Sequence, residues 1–364
     1  MRFIELFAGI GAFRLGLENT GHECVWANEW LEKPRSIYAR NFGEEPDGRD
    51  IATVQPRDLP DADLICGGFP CATFSVAGKR SGFSLDDTRG TLAFEMFRLA
   101  RDKGIPYILF ENVAGLLNHD SGRTFQIILG VLDAMGYDAQ WELLDSQNFG
   151  VPQHRERIFL VGNLRGHPRP KVFPLGGADE ENVGADEEQE IEVAQWRRGY
   201  FRPYRSTGVP TLTANMGLGG HNVPFVTGRI PRDVDVFPTL DGHYWKGIQN
   251  NQGRGAVRSV VRPVLDVNRM NKSPNGRMIK DDGDPMYTIT AQDRHGIHLE
   301  DGEESRIRKL TPLECERLQG FPDGWTEFYA DGRRVSDSER YERCGRTITI
   351  PVVEAIGRRL HEFW

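Results

Sequence analysis

The sequence predicts an α/β fold, an open and mostly parallel sheet followed by a smaller, irregular β-rich region, on three observations. Strand-like and helix-like stretches alternate from Phe3 to Val161. Glycines follow the apolar runs, at Gly9 and Gly11 and again at Gly67-Gly68. After Gly162 the alternation dissolves into a stretch rich in Gly, Pro, Asn and Arg. Strands separated by helical stretches make a parallel sheet, whose ligands sit beyond the carboxyl ends of its strands.

The elements follow in order. Phe3–Phe7 reads as a strand, and the glycine turn after it opens a helix to about Glu18. Glu23–Ala27 is a second strand, with a helix to about Arg40, and Asp63–Cys66 is a short buried strand that runs into Gly67-Gly68. A helix over about Thr91–Lys103 leads to the strand Tyr107–Phe110. Another, over about Thr124–Met135, precedes strands near Ala139–Leu144 and Arg157–Val161. From about Arg165 to Glu304 only short β-like pieces stand out. Two of them resemble each other, Pro210-Thr211-Leu212-Thr213-Ala214 and Tyr287-Thr288-Ile289-Thr290-Ala291. Helical patterns return at Thr311–Leu318 and at Val352–Phe363.

A chain of 364 residues has room for two domains. It contains no apolar run of roughly 18 residues that could span a bilayer. The first five residues enter a strand at once, so no targeting segment is expected, and the address reads as cytoplasmic. Cys24, Cys66, Cys71, Cys315 and Cys344 are scattered without a CxxC pair, which points to reduced thiols and away from a disulfide framework or a zinc site. The net charge of -8 argues against a nucleic-acid partner until its distribution is considered. Eight acids and no base lie between Asp179 and Glu192, whereas Val193 to Lys280 carries fourteen Lys/Arg against four acids. A phosphate-facing surface needs such asymmetry, and so does a merely solvated basic domain beside an acidic loop; charge alone does not decide.

The residues at the strand ends carry the chemistry. In Phe7-Ala8-Gly9-Ile10-Gly11 the glycines let backbone approach a ligand at a helix start. Glu29, ending the second strand, can accept from ribose hydroxyls, and Asp50 can receive an adenine amino group; together they describe an adenosine site. Cys71 follows Pro70 at the end of the third strand and leads into a loop rich in Ser, Gly, Lys and Arg. It is placed as an exposed nucleophile whose thiolate nearby cations favour. Glu111 ends the fourth strand, and Gln153-His154-Arg155-Glu156-Arg157 brings two guanidinium groups to the same edge.

In this order, and over nearly the whole chain, the blocks resemble the DNA (cytosine-5) methyltransferases of the bacterial and phage restriction-modification type. They include Phe7 to Phe13, Glu29-Trp30, Asp50-Ile51, Gly68-Phe69-Pro70-Cys71, Arg89-Gly90-Thr91-Leu92, Phe110-Glu111-Asn112-Val113 and Gln153 to Arg157. Further along come Arg308 to Pro322 and Gly345 to Val353. The resemblance implies a Rossmann-like class I methyltransferase sheet over residues 1–164, a target-recognition domain over 165–325, and a segment 326–364 that returns to complete the catalytic domain. It implies S-adenosylmethionine as cofactor, with no metal, held by Phe7, Gly9, Gly11, Glu29, Trp30, Asp50, Ile51, Leu92, Arg346 and Thr347. By the same resemblance Cys71 attacks C6 of a flipped-out cytosine, Glu111 acts on N3, Arg157 holds O2, and Arg155 meets the loop or a phosphate. Residues 75–88 would form a lid, and Ser75, Lys79, Arg80, Thr211, Thr288, Arg254 and Arg258 would meet double-stranded DNA. The expected protein is monomeric, off the membrane, in a bacterial cell or phage-infected host.

Two departures stand out. Ala72 replaces the family's usual Gln after Pro-Cys, and Arg346 its usual Asn. A guanidinium near the transferring group suits a donor with a carboxylate, so carboxy-S-adenosylmethionine is an alternative to the ordinary donor. The competing readings of function are a tRNA-directed relative and a catalytically silent DNA-binding partner.

Overall fold

The computed structural model describes residues 1–69, 92–175, 191–197, 200–206, 224–226, 260–265, 278–281, 284–291, 295–301 and 304–363. Cys71, Ala72, Ser75, Lys79, Arg80, Thr211, Arg254 and Arg258 lie outside them.

The α/β alternation is present. Strand β1 (Arg2–Leu6) leads to helix α1 (Ala12–Glu18), β2 (Glu23–Asn28) to α2 (Glu32–Phe42), and β3 (Leu64–Gly68) precedes α3 (Leu92–Lys103). β4 (Tyr107–Val113), α4 (Arg123–Ala134), β5 (Tyr137–Asp145) and β6 (Glu156–Leu164) complete a six-stranded sheet in the order β2-β1-β3-β4-β6-β5. The first four strands pair in parallel, and β6 inserts between β4 and β5, antiparallel to both. That reversal matters for the site: it sets the start of β6 beside the end of β4, with Val113 opposite Arg157.

Both faces of the sheet are covered, which is why its strands read as nearly continuous apolar runs. Ile4, Leu6, Ile65, Ile108, Phe110, Ile158 and Leu160 pack with α3 and α4. On the other face Phe3, Leu64, Cys66, Leu109, Phe159 and Val161 meet Leu17 of α1. They also meet Val352, Val353, Ile356 and Leu360 of the last helix, α7 (Ile350–His361).

Beyond β6 the strands β7 (Ile191–Arg197), β8 (Tyr200–Ser206) and β9 (Pro224–Val226) form one three-stranded sheet. β10 (Val260–Val264), β11 (Gly296–Asp301) and β12 (Glu304–Lys309) form another. Helices α5 (Pro312–Leu318) and α6 (Asp337–Arg346) follow. A reciprocal Thr311–Glu314 cap with Pro312 in the first turn starts α5, so the sequence signal for its beginning is a local one. Several residues from the stretch read as the middle domain pack against the large sheet. Val172 is fully buried there, and its N–H donates to Gln140 Oε1 at 3.0 Å. Phe321 and Trp325 join the same core, and the Trp325 indole N–H donates to the Ile10 carbonyl at 2.9 Å.

Candidate active site

The first part of the site is the loop after β1. Phe7 has φ of 54°, in the left-handed region that costs a bulky residue energy, and Gly9 and Gly11 have φ of 56° and 88°. The strained turn is held by the neighbouring strand: Ala8 N–H donates to the Asn28 carbonyl at 3.0 Å. Glu29 then takes the Gly9 and Leu31 N–H groups, one on each carboxyl oxygen, both at 2.8 Å. Burial raises the Glu29 carboxyl above its ordinary range, and the two N–H groups, Arg343 and Arg35 oppose that rise. Asn28 Nδ2 bonds the Asp47 and Arg49 carbonyls at 2.8 and 2.9 Å, which draws Asp50 and the buried Ile51 to the same strand end. Asp50 spends one oxygen on the Ala52 N–H at 3.0 Å.

This arrangement fits an adenosine ligand. A Cβ built on Gly9 would meet nothing within 4 Å, so the loop faces open space. Trp30, beside Glu29, leaves 60% of its surface uncovered, a flat apolar face next to two carboxylates. Leu92 begins α3 on the adjacent strand end.

The second part lies at the ends of β3, β4 and β6. Glu111 sits directly opposite Gly68 in the parallel ladder, and a Cβ on Gly68 would fall 2.8 Å from Glu111 Oε2. Any larger residue would force the carboxyl to shift. Arg157 Nε reaches Glu111 Oε1 at 3.1 Å across the antiparallel β4–β6 pair. Burial pushes the Glu111 carboxyl up, and the charges of Arg157 and Arg155 pull it back. Asn112 Nδ2 donates to the Phe69 carbonyl at 2.9 Å, anchoring the chain two residues before Cys71.

The loop lies outside the described residues, and Arg155, expected to meet it or a phosphate, is 2% exposed. It donates through Nη1 to the Ile289 carbonyl at 2.8 Å and through Nη2 to the Gly345 and Thr347 carbonyls. Burial, with Arg157 alongside, pulls it down to about 9. Arg346, expected at the transferring group, has a 60% exposed side chain and pairs with Glu342 at 3.0 Å, one turn back on α6. Of the two similar Thr-containing pieces, the one around Thr288 docks on the arginine block. Thr288 Oγ1 donates to the His154 carbonyl, and Ile289 N–H donates to Gln153 Oε1 at 2.8 Å. Its counterpart around Thr211 is outside the described residues.

Sequence reasoning did not single out Gly68, Asn112, Gln153 or Gln319 as individual residues. The first three stand inside quoted blocks, and Gln319 follows Leu318 in another; only three-dimensional contact separates the working members from their neighbours. Among the described residues Asp145, His154 and Glu156 bring metal-type ligand atoms within 4.8 Å of one another. Asp145 already serves the Arg155 N–H, Gln147 and His154, while His154 and Glu156 are exposed.

The sheet order, the glycine loop after β1 and the acids at successive strand ends define the class, a Rossmann-like methyltransferase. The S. pombe Dnmt2 methyltransferase structure superposes with a TM-score of 0.60 at 17% identity, covering 100% of this chain and 99% of that one, a likeness of fold. The sequence profile of the C-5 cytosine-specific DNA methylases matches residues 1–201 and 231–362. The orphan methyltransferase M.SPRI of Bacillus phage SPR is 32% identical, over 99% of this chain and 97% of its own. The type II methyltransferase M.HpaII of Haemophilus parainfluenzae is 33% identical, over 99% and 89%. The chain belongs to the C-5 cytosine-specific DNA methylases and is a DNA (cytosine-5-)-methyltransferase. Among the described residues no helix is long and apolar enough to cross a membrane.

Proposed function

We propose that this enzyme methylates C5 of a cytosine flipped out of duplex DNA, with Cys71 as the nucleophile toward C6. The Glu111–Arg157 pair, pressed against Gly68 three residues before Cys71, carries the reading. Cytosine C5 is a weak nucleophile until a thiolate adds at C6 and converts the ring to an enamine. The Glu111 carboxyl, whose proton affinity burial raises, donates a proton to N3, and N3 takes up the electron pair that the addition displaces. Arg157, anchored on Glu111 and on its own neighbour's carbonyl at 2.7 Å, holds O2 in the ring plane. Once C5 has taken the methyl group, loss of its proton to solvent, return of the N3 proton to Glu111 and expulsion of the Cys71 thiolate would restore the aromatic base. Flipping costs a few kcal/mol of stacking, which phosphate and sugar contacts offset.

S-adenosylmethionine supplies an electrophilic methyl group when bound. Phe7, Gly9, Gly11, Glu29, Trp30, Asp50, Ile51, Leu92 and Thr347 would hold it. Arg346 supports no carboxylated donor, because its exposed guanidinium is already partnered by Glu342. The middle region is the reader of DNA sequence, with the Thr288 piece near the flipped base. On this reading the catalytic unit runs to about residue 175 and resumes near 310, since Val172, Phe321 and Trp325 share the sheet's core.

A duplex carrying 5-fluorocytosine tests the nucleophile, because fluorine cannot leave as a proton does. The wild type should form a denaturation-resistant adduct and Cys71→Ser none; an adduct on the serine variant would refute the assignment. With labelled donor, duplex should be modified and tRNA not, and 5-methylcytosine should be the sole product, unchanged by Arg346→Asn. Appearance of 5-carboxymethylcytosine with the carboxylated donor would revive that second chemistry.

A further inference from the structure

Arg155 has no part in the chemistry above, yet it is among the largest fully buried side chains of the protein. Its fork joins two segments about 57 residues apart: Ile289, in the Thr288 piece proposed to face the DNA, and Gly345 and Thr347, in the block before α7 proposed to face the cofactor. These segments also touch directly. A Cβ built on Gly345 would lie 2.4 Å from the Ala291 nitrogen and the Thr290 carbonyl carbon, so the two backbones are in contact and nothing larger than glycine fits. Behind them lies a buried polar set. Gln153 Nε2 donates to the Leu318 carbonyl at 3.0 Å, Gln319 Nε2 to the Cys344 carbonyl at 2.8 Å, and Thr349 Oγ1 to Gln319 Oε1 at 3.0 Å.

The far end of this set leads to the cofactor loop. Ile350 and Val353 of α7 press on Gly16 of α1, where a Cβ would meet Val353 at 2.7 Å. α1 itself starts at Gly11. In the other direction, two residues along the chain, lies Arg157 with Glu111. Buried polar networks with discrete hydrogen-bonded arrangements transmit displacement because they do not deform continuously.

We propose that Arg155 is a positioning residue that links the DNA-facing segment 288–290 to the cofactor-facing block 345–347, so that duplex and cofactor bind with mutual reinforcement. The proposal rests on the reading that segment 288–290 faces the flipped base. A planar guanidinium can serve carbonyls of both segments at once, whereas a lysine ammonium is a point charge and holds them less rigidly. Linkage is reciprocal, so the same factor governs both ligands.

The test is calorimetric titration of the full chain with S-adenosylhomocysteine. It is done with and without a short duplex carrying the site at which the wild type modifies plasmid DNA. Saturating duplex should tighten S-adenosylhomocysteine about tenfold in the wild type and less than twofold in Arg155→Lys. In the free protein the two should agree within twofold. An unchanged linkage in the variant, or a free-protein affinity that falls as much as the duplex-bound one, overturns the proposal; the second outcome marks a plain packing role. Hydrogen exchange on the wild type gives a check that needs no variant. S-adenosylhomocysteine alone should protect amides of 286–291, and duplex alone those of 345–350; no cross-protection refutes the link. Failure to modify any plasmid would sink the DNA reading itself, together with this proposal.

Discussion

Glu5 offers the sharpest test of how the sheet tolerates a polar group in its interior. It lies in the middle of β1, wholly buried, and accepts the Arg14 N–H and the Tyr38 hydroxyl, each at 3.2 Å. Burial pushes its carboxyl from an ordinary value near 4.5 to about 8, with those two donors and the Arg14 charge opposing the rise. A group whose folded pKa is raised contributes its stability below the unfolded value. That contribution disappears as pH climbs through the folded one. Stability should therefore fall between pH 4.5 and about 8. At 1.36 kcal/mol per pH unit the full displacement amounts to about 5 kcal/mol, an upper figure given the donors already present. Glu5→Gln keeps the shape and removes the titration. It also sets an amide against one donor, a penalty of about 1–2 kcal/mol at every pH. Urea denaturation of both proteins at pH 5 and pH 8.5 isolates the pH-dependent part. The variant should gain roughly 2–4 kcal/mol on the wild type between the two conditions. Parallel stability profiles would mean that Glu5 is ionised at no cost, and that its burial has been misjudged.

Three further outcomes follow from the site. Glu111→Gln should retain duplex binding and lower kcat by about 10²–10³, the range of a lost acid. Because burial raises this carboxyl, wild-type kcat should fall as pH rises past it; a flat alkaline limb would exclude the neutral form as the donor. Gly68→Ala drives a methyl to 2.8 Å from Glu111 Oε2, so kcat should drop at least tenfold, with about 1–3 kcal/mol of stability lost in a denaturant titration. An active Gly68→Ala would show that the carboxyl is free to move. Neutralising Arg254 and Arg258 should flatten the salt dependence of duplex binding by about one unit of slope for each phosphate they engage, whereas an unaltered slope assigns both to solvent.

The large sheet was readable because strands buried on both faces leave unbroken apolar runs, and because each glycine turn marks a strand end. Glu29 and Glu111 were found for the same reason, as acids that stop such runs. The position of β6 was not readable: local residues specify a strand, and only pairing with Tyr107–Val113 on one side and Tyr137–Asp145 on the other specifies its neighbours and direction. Arg155 and Arg157 are near twins in sequence, two residues apart. One reaches the Glu111 carboxyl and the other fills a buried crossing of three carbonyls, a difference made by residues more than 130 positions away. Arg346 pairs along its own helix, since Glu342 stands four residues earlier on the same face, a contact that needs no distant residue. Trp325 belongs to the sheet's core, yet nothing local ties it to Ile10, 315 positions before it.

The packing of α7 on α1 has a consequence for the order of events on the ribosome. His22 meets the Gly357 carbonyl at 2.9 Å and Asn19 meets Glu354 at 2.7 Å, each pair 335 residues apart. At roughly 5–20 residues per second, tens of seconds of synthesis separate the emergence of α1 from that of its cover. During that interval the apolar face around Phe3 and Leu17 lacks α7. Synthesis of α7 therefore acts as a timer: α1, which follows the glycine loop after β1, gains that cover only once the last helix has been made.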